Sequence, residues 1–206
     1  MDDKRRQILD AALAIADEDG LEAVSMRAVA ARVGVSPMAL YPHVGSKEAL
    51  LDGLVGRLLG DLPPPTGPDW RAGLRAAAFG VRALARAHPS AFVLLLSRPS
   101  VTPDAARTVD SVYQALLDAG VPPAEVPRLE RMVSTFVLGF ALSEVNGRFA
   151  VGEPGLRARR GADLPAHQKL AAHLEDVDWD AEFEADLRDL ESVITAVLTR
   201  RPPPPR

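Results

Sequence analysis

One stretch near the amino end, Ser25 to Lys47 (SMRAVAARVGVSPMALYPHVGSK), limits what the chain can fold into more than any other. Met26, Val29 and Val33 fall three and four apart, the spacing of one buried helix face. Ser25 precedes them as a helix cap, because its hydroxyl can accept a bond from a free N–H of the first turn. The spacing predicts a helix from Met26 to about Arg32. Gly34 follows, at a point where a sharp stop needs a left-handed residue. Ser36-Pro37 then restarts a helix, with Ser at the cap and Pro at the first helical position, where a missing N–H does no harm. That second helix is expected to run from Pro37 to about Tyr41. Two helices across so short a turn form a helix-turn-helix, whose second helix suits the DNA major groove. Between Ser25 and Lys47 the charged residues are Arg27, Arg32 and Lys47, a local positive field in a chain of net charge −4.

The rest of the sequence reads as helix. The hydrophobic fraction is 47% but aromatics are only 5%, so the core must be built from Ala, Leu and Val. That composition favours helix, and no segment alternates as a strand does. The 206 residues suffice for one domain or two small ones. Cysteine is absent, which excludes disulfides and thiolate metal sites. No apolar run reaches the ~18 residues of a membrane span, and MDDKRRQILDAA lacks the apolar centre of a signal peptide. A cytoplasmic protein with no membrane association is expected.

In chain order, Ile8, Leu9, Ala12, Leu13 and Ala16 predict a first helix from Lys4 to Asp19. Lys4, Arg5 and Arg6 either reach phosphates or solvate its end. Ser46 begins a fourth helix whose buried face is Leu50, Leu51, Leu54, Val55, Leu58 and Leu59. DLPPPTGP, residues 61–68, cannot continue it and reads as a stiff linker. Further helices are expected from Trp70 to His88, Pro103 to Ala119 and Ala124 to about Phe149. Ser90 to Ser97 is short and apolar all round, so it should be buried or line a cavity. Val109, Val112, Tyr113, Leu116 and Leu117 are expected to point inward. Val151 to Asp163 reads as a loop, Pro165 to Leu174 as a short helix, and residues 201–206 as a disordered tail. Phe183, Leu187, Leu190, Ile194 and Val197 repeat at four, three, four, three along a last helix from Trp179 to Thr199, a seam suited to a bundle.

The helix from Ala124 is apolar on most of its circumference and so needs two partners. Its Val133, Val137 and Phe140, with Leu187, Leu190, Ile194 and Val197, are assigned to a homodimer interface. Pockets form between bundle helices. Phe79, Phe92, Leu96, Tyr113, Met132 and Phe136 are candidate lining, and Arg82, Gln114, Ser143 and Asn146 candidate anchors. No catalytic constellation emerges. His43, His88, His167 and His173 are scattered, and no HExxH pair or phosphate-cradling glycine motif occurs. An enzyme is not expected, nor a cofactor, nor a metal site.

SMRAVAARVGVSPMALYPHVGSKEALLDGL resembles the DNA-binding domain of the tetracycline-repressor (TetR) family, most closely around VGVSPMALYxHVxxKEALL and specifically over about Ile8 to Leu58. The resemblance implies an all-α protein: a three-helix DNA-binding domain at 1–60, including a linking helix at 46–60, and a helical ligand-binding and dimerisation domain at 69–200. It implies a homodimeric repressor released from palindromic double-stranded DNA by a small-molecule effector; an activator would use the same contacts. Ser25, Arg27, Tyr41 and Lys47 are expected to hold phosphates, together with the Ser36-capped helix start at Pro37. Tyr41 alternatively packs its ring. Met38 and Ala39 should touch base edges, and His43 a phosphate. One departure stands out. Pro42 occupies a position where the family carries a larger polar or aromatic residue. A recognition helix ending at Tyr41 would turn His43 and weaken DNA reading, leaving a helical small-molecule-binding protein.

Overall fold

The caps and stripes produce helices in the computed structural model, which describes residues 3–62, 64, 69–99, 101–148, 163–174 and 177–199. No strand occurs among the described residues. They form two compact units, one ending at Val145 and one beginning at Asn146.

The first unit contains α1 (Asp3–Asp19), α2 (Met26–Val33), a 3-10 turn (Pro37–Leu40), α3 (Tyr41–Val44), α4 (Lys47–Gly60), α5 (Trp70–Ala87), α6 (Pro89–Phe92), α7 (Leu94–Ser97), α8 (Pro103–Asp118) and α9 (Val126–Val145). Ile8, Leu9, Ala12, Leu13 and Ala16 all bury, as their spacing requires, and meet Val24, Val29, Leu40 and Val44. Leu50, Leu54 and Leu58 of α4 complete this core with no exposed surface. Each such leucine contributes about 2 kcal/mol by leaving water. Helix α4 packs on α1 and α3 at one side and on α7 and α8 at the other. Two small residues allow the approach. A Cβ on Gly53 would lie 2.7 Å from Leu9 Cδ2, and one on Gly56 would run into the Thr102 hydroxyl.

Helices α5 and α9 pack side by side and are tied by an ion pair. Arg82 is 2% exposed. Its Nε and Nη2 donate to the two Glu144 carboxylate oxygens at 2.7 Å each, and Arg86 donates to the same carboxylate at 2.6 Å. Arg82 also lies over the Phe140 ring at 5.6 Å. The Arg82 hydrogen bond, foremost, then that of Arg86, holds the Glu144 carboxyl below its usual range against the opposing effect of burial.

The apolar run Ser90 to Ser97 divides at Val93. Ala91, Phe92 and Leu94 bury, but Val93 and Leu96 are exposed, so the segment is not enclosed all round. In α8, Leu116 is buried while Leu117, expected inward, is 40% exposed. Arg98, just past α7, reaches the first turns of α4, donating to Asp52 at 2.6 Å and to the Glu48 carbonyl at 3.0 Å.

The second unit holds α10 (Pro165–Leu174) and α11 (Trp179–Leu198). Asp178 caps α11, accepting from the Asp180 and Ala181 N–H groups at 3.0 Å. Phe183, Leu187, Ile194 and Val197 are buried within the single chain. The expected loop at Val151–Asp163 lies, apart from Asp163, outside the described residues. So do the tail 201–206 and most of the 61–68 linker.

Candidate nucleic-acid interface and ligand cavity

The elbow forms from its own caps. Ser25 is extended (φ −144°, ψ 156°) and its hydroxyl accepts from the Ala28 N–H at 3.2 Å. Gly34 takes φ 76°, ψ 34°, and its N–H meets the Ala30 and Ala31 carbonyls. The Val35 N–H reaches back to the Ala30 carbonyl at 3.0 Å, closing the helix end.

The second arm departs from expectation in two ways. Ser36 has the extended backbone of a cap but makes no cap bond. The N–H that its hydroxyl would serve, on Ala39, already donates to the Ser36 carbonyl at 3.0 Å in the 3-10 turn. A four-residue turn also adds little dipole to attract phosphate. Secondly, the arm does not end at Tyr41. It continues as α3 to Val44, because Pro42 falls in the first turn of α3, where no helical N–H is missed. Gly45 (φ 74°) then stops it.

This arm has two sides. Leu40 and Val44, one turn apart, anchor it in the core. Pro37, Met38, Ala39 and Tyr41 face outward, Met38 with 74% of its surface exposed. Tyr41 is therefore not a core aromatic. His43 is half-buried, and its carbonyl accepts from Arg5 at 2.6 Å. Arg5 thus supports the arm from beneath, while Lys4 bonds Gln7 on its own helix.

The positive field is narrower than the sequence implies. Arg32 is held by Glu18 of α1, with one bond at 2.9 Å, and the hydrogen bond from Arg32 lowers the Glu18 carboxyl. Arg27 and Lys47 are exposed and without an ion-pair partner among the described residues. Lys47 starts α4, which Ser46 caps by accepting from Ala49 N–H at 3.1 Å.

Farther along, a cavity of about 260 Å³ opens between the end of α4 and helices α5, α7, α8 and α9. Leu59, Val81, Leu95, Val109 and Val137 are among its apolar walls, and Thr108, Glu130 and Ser134 are its polar side chains. None of the ten residues offered as candidate lining or anchors lines it. Phe92 fills the core, Arg82 is engaged by Glu144, and Leu96 is exposed where its neighbour Leu95 lines the cavity. Phe79, Tyr113, Met132, Phe136 and Ser143 are half-buried elsewhere. Gln114 is exposed and bonds Asp118 at 2.8 Å, and Asn146 is exposed.

Of the residues assigned to the dimer interface, Val133 and Val137 line the cavity, and Leu187, Ile194 and Val197 are buried within one chain. Phe140 and Leu190 are half-buried.

An outward reading arm on a capped elbow, joined by one helix to a helical core with a cavity, defines a helix-turn-helix transcriptional regulator. The sequence model of the bacterial regulatory proteins of the tetR family matches residues 8–54, and that of the tetracyclin repressor-like C-terminal domain matches residues 62–190. The chain belongs to the TetR family of bacterial regulators. An HTH-type transcriptional regulator of Saccharopolyspora erythraea is 34% identical over 190 residues, covering 86% of this chain and 78% of that protein. The class D tetracycline repressor protein of Escherichia coli is 31% identical over 195 residues, covering 92% and 87%. The Streptomyces coelicolor TetR family protein ActR, in complex with actinorhodin, shares the fold with a TM-score of 0.78 at 24% identity, over 95% of this chain and 98% of that one. Among the described residues no helix is long and apolar enough to cross a membrane.

Proposed function

We propose that the protein is a cytoplasmic homodimeric repressor that leaves a palindromic operator when a small molecule occupies the cavity. Residues 1–60 read DNA, 61–68 join, and 69–200 bind the effector and the partner subunit. The observation that carries this reading is the position of α4. Lys47 stands at its start beside the reading arm, and Leu59 near its end forms part of the cavity wall. A helix of this length spans about 20 Å, so a shift at one end reaches the other. Arg98 and Thr108, which donate to the carbonyls of Glu48 and Leu59, fasten α4 to the effector side. ActR with its bound actinorhodin supports a ligand among these helices. Tetracycline repressors among the relatives support the direction of control.

On DNA, Arg27 and Lys47 neutralise phosphates. Ser25, Ser36, Tyr41 and His43 add polar contacts. Pro37, Met38 and Ala39 meet base edges, where apolar groups suit thymine methyls. One such arm reads too few bases to select a site. Two, held by a two-fold axis about one DNA turn (~34–36 Å) or a multiple apart, read a palindrome. Because α3 passes through Pro42 intact, Pro42 gives no ground for an impaired reader. Effector and operator then oppose each other with a coupling of about 1–3 kcal/mol.

Selection of binding sites from random duplexes tests the proposal. An inverted repeat is expected; single half-sites, or no enrichment, would overturn it. Lys47→Ala should weaken binding to all duplexes alike and reduce the salt slope by about one unit, measured by fluorescence anisotropy across a salt series. An unchanged slope would remove Lys47 from the phosphate contacts.

A further inference from the structure

Among the described residues, the polar side chains of the cavity are one carboxylate, Glu130, and two hydroxyls, Thr108 and Ser134. A hydroxyl has one proton to give and lone pairs to receive. Thr108 directs its proton at the backbone, with the Leu59 carbonyl at 3.3 Å and that of Asp104 at 3.4 Å. Ser134 directs its own at the Arg131 carbonyl, 3.4 Å away. Both keep lone pairs for a guest. The Glu130 carboxylate is half-buried and has no hydrogen-bond or ion-pair partner among the described residues. Arg128, two positions before it, is engaged by Glu125 at 2.7 Å. Glu130 and Ser134 lie one turn apart on α9, in line with Val133 and Val137, so all four look into the same space. Among the described residues, no Lys, Arg, His, Asn or Gln lines it.

We infer that the cavity selects an apolar organic cation: a protonated amine carrying an aryl or alkyl body. The walls take the body out of water, and the ammonium supplies donors to the Glu130 carboxylate, which has none of its own, and to the lone pairs that Ser134 and Thr108 keep. A charge-assisted bond between ammonium and carboxylate is about twice as strong as a neutral one. An anion would meet Glu130 as a like charge near low-dielectric walls. The volume, about 260 Å³, is close to the lower bound of ~300–1,000 Å³ usual for ligand pockets, so the body is of the order of one ring with a short chain. The inference rests on the cavity being the effector site proposed above and adds the chemistry of its ligand.

Three probes of nearly equal shape test it by calorimetric titration of the full-length protein: para-butylbenzylamine, para-butylbenzyl alcohol and para-butylbenzoate. The amine should bind about tenfold or more tighter than the alcohol, and the benzoate weakest. Glu130→Gln should bring amine and alcohol within about threefold of each other, with thermal melting reporting that the variant is folded. Val137→Phe, which fills the cavity, should remove binding of all three. If Glu130→Gln fails to fold, the order of the probes on the unaltered protein still decides. The inference is overturned if alcohol or benzoate equals the amine, if the amine does not bind by ~1 mM, or if folded Glu130→Gln keeps the preference. These titrations contain no DNA, so their failure leaves the repressor reading intact. Conversely, a Glu130-dependent amine preference with no effect of the amine on DNA affinity would end the release mechanism and keep the ligand class.

Discussion

Glu144→Gln should destabilise the protein by about 3 kcal/mol at neutral pH, and thermal melting should fall by roughly 6–12 °C. Arg82 is almost completely enclosed and loses both of its charged acceptors in this variant. Removing one member of a buried pair is costly because the other charge stays out of water. Replacing both members with apolar side chains, Arg82→Met with Glu144→Leu, should recover most of the loss. If the single variant melts within a degree or two of the unaltered protein, the pair does not hold α5 to α9.

The same carboxylate links stability to acidity. Its folded-state pKa is depressed, Arg82 being the foremost cause. The stabilisation is therefore complete above the unfolded-state pKa of about 4.3, and is lost as pH falls through the lower folded-state value. Melting temperatures of the unaltered protein and Glu144→Gln should differ most at neutral pH and converge as pH falls through the depressed folded-state value. A constant gap across that range would place the effect elsewhere.

The reader was legible because its determinants are local. Ser25, Gly34 and Ser46 act on neighbours within five residues, and the α1 stripe needs only the helix period. Pro42 was misjudged because its effect depends on register. In a continuous helix it would break the chain, but the 3-10 turn before it places it in a new first turn. The effector half depends on which face meets which neighbour, and periodicity does not encode that. On α9 an apolar circumference left Val133 and Val137 open to either side, and they face the cavity. Arg82 reads as a candidate ligand anchor in the sequence because its partner, Glu144, lies 62 residues away. Leu95 and Leu96 were indistinguishable in an unbroken apolar run, yet one lines the cavity and the other is exposed. Glu130 carried no sequence signal at all; only the adjacent cavity singles it out.

The seam of α11 separates two accounts of the dimer, and adjacent substitutions decide between them. Ile194 is fully buried in the single chain, whereas Val193, one step around the helix, is 42% exposed. Ile194→Asp would place a carboxylate in an apolar interior, which is expected to lower stability by roughly 4–5 kcal/mol. Loss of the native circular-dichroism melt should therefore accompany any loss of association. Val193→Asp should leave the fold and its melting almost unchanged, since an exposed residue has no burial to lose. If the outer side of α11 meets the partner subunit, that charge should shift sedimentation from dimer to folded monomer. A folded, monomeric Ile194→Asp would instead return the seam to the subunit interface. A Val193→Asp that stays dimeric would move the contact to α9, where Phe136 and Phe140 stand half-buried with their ring centres 6.0 Å apart. Gly139 between them has open space where a side chain would stand, so two copies of α9 can approach closely there.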